Sequence, residues 1–227
     1  MVLEKRPALA TLTTPVATGA FRLQFDNAEE VELVRESVAF FDAMHERTGL
    51  GLHHQGYLFA ALTDEGAERQ RKLVVAQRRW GLTDVELLDG DQARRRFPYL
   101  APNIRNARYR AGDGWLEPRR LALEIARASG ATFRCGVGVS GFERRGDRVI
   151  GVQTVGGTSH ASTVVIAAGP LSGPLARLAG LDLPLATVRR PKLMVPHLTV
   201  LQPAAPVTSA VETGAHWAPA GRRAPGP

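Results

Sequence analysis

TVVIAAGPLSGPLARLAG, residues Thr163–Gly180, is the stretch whose reading decides the fold. Val164, Val165, Ile166, Ala167 and Ala168 run without a polar break into Gly169 and Pro170, then Ser172 and Gly173, and an apolar helical pattern follows. An unbroken apolar run bounded by such punctuation predicts a strand buried on both faces of a parallel sheet, with a tight turn into the next segment. Small residues at the carboxyl end of such a strand let a phosphate or a ring approach the backbone, and ligands of open α/β sheets sit in that crevice. The expectation is a strand of a nucleotide-binding α/β sheet. An ordinary buried strand ending in a turn accounts for the same residues, so the rest of the chain has to choose.

Composition narrows the choice. The chain has 227 residues, 44% of them hydrophobic, enough to bury a sizeable core in one or two domains. No apolar run approaches the ~20 residues that cross a bilayer, and the start lacks the charged, apolar and small-residue order of a signal peptide. The expectation is a soluble, cytoplasmic protein with no membrane partner. One cysteine, Cys135, excludes an internal disulfide framework and a cysteine zinc site, and is expected to be a small buried hydrophobe. The net charge of +7 comes from arginines scattered in pairs and triplets, such as Arg78 and Arg79 or Arg94 to Arg96, with few aromatics between them to stack bases. Arginine reads as the general surface cation, and nucleic acid is not expected as a partner.

The elements follow from periodicity. Asn27 can cap a helix to Thr48 with Glu30 three residues on, and Val31, Val34, Val38 and Phe41 form its stripe, widened by Phe40 and Met44. HHQGYLFAAL, residues 53–62, predicts a short strand with both faces buried. His53 and His54 precede it. Neighbours on a strand point to opposite faces and no acidic or cysteine partner sits at ligand spacing, so no metal site is predicted. Asp64 to Gly81 predicts a second amphipathic helix ending at Gly81, with Arg69, Arg71, Lys72, Arg78 and Arg79 as a solvated face. VELLDGDQARRRFPYL predicts a strand, a turn at Asp89 and Gly90, and a short helix stopped by Pro98. Pro118 suits the first position of a helix to Ser129. Thr132–Cys135, Val137–Phe142 and Val149–Thr154 predict strands, with a turn at 145–148.

With these elements in order, VVIAAGPLSGPLARLAGLDLPLATVRR resembles the late strand and turn of the FAD-dependent amine and amino-acid oxidases, the family of sarcosine oxidase, dimethylglycine dehydrogenase, glycine oxidase and D-amino-acid oxidase. VLEK at Val2–Lys5, TGAFRLQF at Thr18–Phe25, GYLF at Gly56–Phe59 and DGWLEPRRLA at Asp113–Ala122 match in the same order. The resemblance covers roughly Val2 to Arg190.

It implies FAD as cofactor and an α/β (α+β) fold, a Rossmann-like FAD-binding domain interleaved with a substrate-binding domain. The expected layout is part of the FAD domain in 1–25, mostly substrate domain in 26–110, FAD domain again in 111–180, and the start of a second substrate segment with an irregular tail in 181–227. By resemblance, Glu4 is the ribose-binding carboxylate and Lys5 follows it. Thr18, Gly19 and Ala20 pass beside the flavin ring, Arg22 is the cation next to it, Val139 bonds adenine through its backbone, and Ala168, Gly169 and Pro170 lie against the cofactor. Tyr57, His216 and Trp217 are substrate-pocket candidates, while Phe25 stands where some relatives carry a second arginine for the substrate carboxylate.

Two departures are plain. No strand, glycine turn and helix open the chain ahead of Glu4, so the pyrophosphate lacks its helix N-terminus, and the chain ends in GRRAPGP where the family continues. The sequence thus reads as lacking the first βα unit and truncated at both ends. The implied activity is oxidation of a secondary or tertiary amine of the sarcosine or dimethylglycine kind by hydride transfer to flavin N5, with Arg22 as the catalytic candidate. The alternative is a non-catalytic remnant or a partner-dependent subunit of such an enzyme. Whether this chain turns over, and whether it forms homo- or hetero-oligomers, is left open.

Overall fold

The computed structural model describes residues 1–189, 191–195 and 200–219, so the expectations for Arg190 and for the tail from 221 lie outside the described residues. In chain order the elements are β1 (Val2–Glu4), β2 (Ala20–Phe21), α1 (Ala28–Thr48), β3 (Leu52–His53), β4 (Tyr57–Ala61), α2 (Asp64–Arg79), β5 (Glu86–Asp89), α3 (Gly90–Arg96), β6 (Asn106–Arg110) and β7 (Gly114–Leu116). They continue with α4 (Pro118–Ala128), β8 (Phe133–Cys135), β9 (Val139–Arg145), β10 (Arg148–Thr154), β11 (Gly157–His160), α5 (Ser172–Leu178), β12 (Val207–Ala210) and β13 (His216–Trp217). The chain divides into two compact units that alternate along the sequence: Met1–Ala17 with Ala122–Met194, and Thr18–Leu121 with Val195–Pro227.

The second unit is built on a mixed sheet in the order β13-β12-β4-β6-β5. Only β12 and β4 run parallel, and the other neighbours are antiparallel. Alternation along β4 sends Leu58 and Ala60 to one face, where they join Ala107 and Tyr109 of β6 against Ala93 and Phe97 at α3. Local chemistry sets the helix ends. The Asn27 side chain accepts from the Glu30 N–H at 2.8 Å to open α1, and Thr63 does the same for Gly66 at 3.0 Å to open α2. Asp89 and Gln92 make a full capping box on α3. Past α2, Gly81 takes φ 80° and the Leu82 N–H reaches back to the Gln77 carbonyl at 2.9 Å, the bond that closes a helix through a left-handed residue. Along α1 the stripe buries Val31, Val38 and Met44, but Phe40 is 44% exposed and does not widen it. A smaller sheet, β2-β7-β3, packs Phe21, Leu52 and Leu116 against Val38.

The first unit holds a parallel pairing of other segments than the one expected: β1 runs beside β8, with Val2, Leu3 and Glu4 opposite Phe133, Arg134 and Cys135. Next to this pair in sequence comes an antiparallel sheet, β11-β10-β9. Its turn lies at Gly146 and Asp147, and β11 has no apolar alternation to announce it.

Two expectations are corrected and one glycine spacing is placed. Val164–Ala168 forms no strand ladder among the described residues, and it is not buried on both faces. Val165 is 81% exposed, while Val164 and Ile166 line a shallow groove with Phe142, Val149, Ala179 and Leu181. An apolar run becomes a sheet strand only when neighbours satisfy its N–H and C=O groups, and no described strand is paired with this one. Its turn does form as expected: Gly169 has φ 55°, followed by a short 3-10 turn and α5. Cys135 is exposed rather than buried, as the last residue of β8 in a two-stranded sheet. Finally, Gly136, Gly138 and Gly141 stand at GxGxxG spacing, yet they lead from β8 into the strand β9 and not into a helix. They present no helix N-terminus to a phosphate, so the sequence does contain the spacing but not the dinucleotide turn.

Candidate functional site

The face of the mixed sheet opposite its apolar core is aromatic and cationic. Cross-strand register fixes its members: His216 pairs with Ser209, Ser209 with Phe59, Phe59 with Arg108, and one step along β4, Tyr57 pairs with Arg110. Paired residues share a face, as do residues two apart. Tyr57 and Phe59 stack with ring centroids 4.9 Å apart, and the Tyr57 hydroxyl lies 2.9 Å from the Ser209 hydroxyl. The Arg22 guanidinium sits over this pair, 5.4 Å and 5.5 Å from the two rings and 4.7 Å from that of Phe25. A guanidinium over several rings is held by the negative faces of their π systems.

Arg22 is aimed by a buried anchor. Asp113, fully buried, accepts from the Leu23 N–H at 3.0 Å, from Gln24 Nε2 at 3.0 Å and from Arg110 Nη1 at 2.7 Å. Gln24 Nε2 also donates to the Tyr57 carbonyl at 2.9 Å. The two residues after Arg22 are thereby tied both to Asp113 and to β4, which fixes the segment that carries the cation.

Of the predicted site residues in this unit, Arg22, Tyr57 and His216 therefore share one sheet face. His216 Nε2 lies 3.4 Å from the Thr18 hydroxyl. Trp217 pairs with Thr208 and so belongs to the opposite face, 37% exposed. Gly19, with φ 74°, approaches backbone closely, but the backbone is that of β7: a Cβ there would lie 2.1 Å from the Leu116 carbonyl oxygen. Ala20 begins the β2 pairing with Trp115. His53 stacks on Trp115 at 4.1 Å, and His54 bridges Asp42 at 2.7 Å and the Gly112 carbonyl at 2.8 Å.

The other predicted residues lie in the first unit. The Glu4 carboxylate ends β1 and accepts from the Arg6 N–H at 2.8 Å through one oxygen. Lys5 is exposed, and its side chain passes 3.5 Å from where a Cβ on Gly138 would stand. Val139 opens the edge strand β9, so one side of its backbone is not used by the sheet. A Cβ built on Gly169 meets nothing within 4 Å, which leaves open space at the turn that Ala168 and Pro170 flank.

Sequence reasoning missed Phe59, Arg108, Ser209, Gln24 and Asp113. Arg108 sits in NARYR, whose polar alternation reads as surface, yet it is only 3% exposed. Asp113 stood inside a quoted motif, and an acid between two glycines was the available signal.

Glu212, in the turn between β12 and β13, ties the His216 end of the sheet to α2. Its Oε1 accepts from the N–H groups of Leu62 and Thr63 at 2.9 Å and 3.0 Å and from the Thr63 hydroxyl at 3.1 Å. Burial pushes its carboxyl up, but the backbone bonds from Thr63 and Leu62 together hold it below the ordinary 4.5. A carboxyl depressed in the folded state contributes stability that is present above its unfolded pKa and lost as pH falls through the folded one. Thermal melts from about pH 6 to about pH 3 are expected to show a steeper acid loss of Tm for the wild type than for Glu212→Gln. Equal slopes would remove Glu212 from this role.

Comparison with known proteins agrees with this architecture. The human mitochondrial dimethylglycine dehydrogenase is 27% identical over 160 residues, 68% of this chain and 18% of the relative's own length. Among solved structures, glycine oxidase from Bacillus cereus matches with a TM-score of 0.64 at 29% identity, covering 77% of this chain and 49% of that one. Glycine oxidase from Geobacillus kaustophilus matches with a TM-score of 0.73 at 24% identity, covering 94% and 60%. The chain thus spans about a fifth of the dimethylglycine dehydrogenases and about half of the solved oxidases it matches. Among the described residues no helix is long and apolar enough to cross a membrane. The profile of one family, DAO, FAD dependent oxidoreductase, matches residues 1–222, and the chain belongs to that family.

Proposed function

We propose that this chain is part of an FAD-dependent oxidoreductase that oxidises a small secondary or tertiary amine, of the sarcosine or dimethylglycine kind, by hydride transfer to flavin N5, in the cytoplasm. The observation that carries the reading is the shared sheet face of Arg22, Tyr57 and His216, a fixed cation over stacked rings beside hydroxyl and imidazole groups. The donor set fits FAD in part. In the first unit Glu4 keeps an acceptor oxygen without a partner among the described residues, Val139 stands on a sheet edge, and the Gly169 turn is open. In the second, the buried Arg22 Nε has no hydrogen-bond partner among the described residues. Among the described residues no glycine turn leads into a helix that could hold the pyrophosphate.

Bound FAD would supply the hydride acceptor. Taken by itself, the first unit has Glu4 and the Val139 backbone as the groups that would hold ribose and adenine, and the second has Arg22, Tyr57 and His216 as the groups that would meet a substrate. Arg22 would stabilise negative charge on a bound flavin, as a preorganised cation does without reorganisation. Tyr57, held by Ser209, walls the amine and keeps water from it. His216, exposed beside Thr18, offers a group that can take the amine proton.

The run Val164–Ala168, apolar and without a ladder among the described residues, favours a second reading, in which another segment or subunit completes that sheet and this chain is partner-dependent. Anaerobic addition of sarcosine or dimethylglycine to the FAD-loaded chain is expected to bleach the flavin band at ~450 nm. A loaded chain whose band no amine bleaches would leave the partner-dependent reading in its place.

A further inference from the structure

Two helices of the second unit carry lines of matching spacing and opposite charge on their solvent faces. On α1, Glu29, Leu33 and Glu36 follow one another at steps of four and three residues, so they stand in one line along the helix. On α2, Arg79, Val75 and Lys72, read backwards, take the same two steps. All six are exposed, Leu33 by 67% and Val75 by 52%, and exposed Phe40 extends the α1 line by one further step of four. In each line the two charges stand about 10 Å apart along the axis, with the apolar residue between them.

The rest of the unit does not use these groups. Glu29, Glu36 and Arg79 form no ion pair among the described residues, and Lys72 has Glu68 of its own helix, at 3.9 Å. Arg35, the base inside the acidic stretch, is turned off this line to the end of α2, its Nη2 3.8 Å from where a Cβ on Gly81 would stand. The helix dipole favours an acid in a first turn and a base in a last one, which suits Glu29 and Arg79. It explains neither Glu36 and Lys72 in mid-helix nor the exposed Leu33 and Val75.

We infer that the solvent faces of α1 and α2 are the contact between two copies of this chain, with α1 of each copy antiparallel on α2 of the other. That direction sets Glu29 against Arg79, Leu33 against Val75 and Glu36 against Lys72. Because one chain carries both lines, a two-fold axis makes each contact twice, the self-complementary arrangement of an isologous dimer. α1 on α1 would oppose acid to acid and α2 on α2 base to base, so the charges select the α1–α2 pairing. Leu33, Val75 and Phe40 supply the apolar centre, and the ion pairs at its rim set orientation more than strength.

Sedimentation velocity of the chain without flavin or amine reads this contact separately from any turnover. A monomer–dimer equilibrium is expected across about 1–100 μM protein, shifting toward monomer as salt is raised. Glu36→Lys and Lys72→Glu should each weaken the dimer about tenfold, and the two together should regain most of that loss. Leu33→Ser should weaken it likewise, whereas Leu181→Ser, on the exposed groove of the first unit, should leave it unchanged. These positions are exposed, so the variants are expected to keep the wild-type helical circular dichroism. A chain that stays monomeric at about 100 μM, a double variant no tighter than its two parents, or a dimer lost in Leu181→Ser and kept in Leu33→Ser would each overturn the inference.

Discussion

Replacing Asp113 with alanine is expected to lower the stability of the second unit by about 3–5 kcal/mol, the usual cost of removing one partner from a buried ion pair. For a chain of this size that is a fall in Tm of roughly 6–20 °C. The carboxylate is fully buried and serves three donors: the Leu23 N–H, Gln24 Nε2 and Arg110 Nη1. Arg110 keeps a second acid, Asp84, at 2.9 Å, and Gln24 keeps the Tyr57 carbonyl at 2.9 Å, but the Leu23 N–H has no other acceptor among the described residues. The variant therefore leaves a backbone N–H unpaired in the interior and loosens the segment that carries Arg22. Asp113→Asn, which keeps an acceptor oxygen, should lose less. Burial pushes the Asp113 carboxyl above the ordinary 3.8, against the pull of Arg110, Gln24 and Leu23. A carboxyl raised in this way holds its proton more tightly folded than unfolded, so its contribution falls as pH rises from about 3.8 upward, opposite in sign to that of Glu212. A melt showing Asp113→Ala within about 1 kcal/mol of the wild type would contradict the anchor.

Gly19→Ala is the second large effect, expected at about 3–4 kcal/mol from strain and overlap together. Gly19 has φ 74°, a region an L side chain enters at a cost of about 1–2 kcal/mol. A Cβ would also stand 2.1 Å from the Leu116 carbonyl oxygen and 2.9 Å from Pro118 Cγ. Neither can give way without opening the sheet, because the Gly19 carbonyl accepts from the Leu116 N–H at 3.0 Å. Gly130→Ala is the matched control: φ is 64° but a Cβ there meets nothing within 4 Å, so only the backbone cost applies. Equal losses in calorimetric melts of the two variants would show that the β2–β7 contact contributes nothing.

Helix ends were legible because their chemistry is local. Asn27 with Glu30 and Gly81 past α2 each act within a few residues of themselves, and Pro118 begins α4 as its fixed φ allows. Sheet neighbours were not legible, because pairing is a property of two distant segments. The run Val164–Ala168 has the composition of a central strand and yet lies without a ladder among the described residues. Conversely, Asn106–Arg110 has the composition of a surface loop and is a central strand. The site was half legible for the same reason. Arg22, Tyr57 and His216 could be named from short motifs, while Arg108 and Ser209 join them only through the register of β6 and β12 on β4. The placement of Trp217 on the opposite face likewise follows from register, since residues one apart alternate.

The measurement that tests the account most directly is an equilibrium titration of the purified chain with FAD, followed by flavin fluorescence. The account predicts saturable binding that changes the flavin emission and is weakened in Glu4→Gln, whose side chain offers ribose hydroxyls one acceptor fewer. A folded chain that leaves flavin emission unchanged across the titration would contradict it.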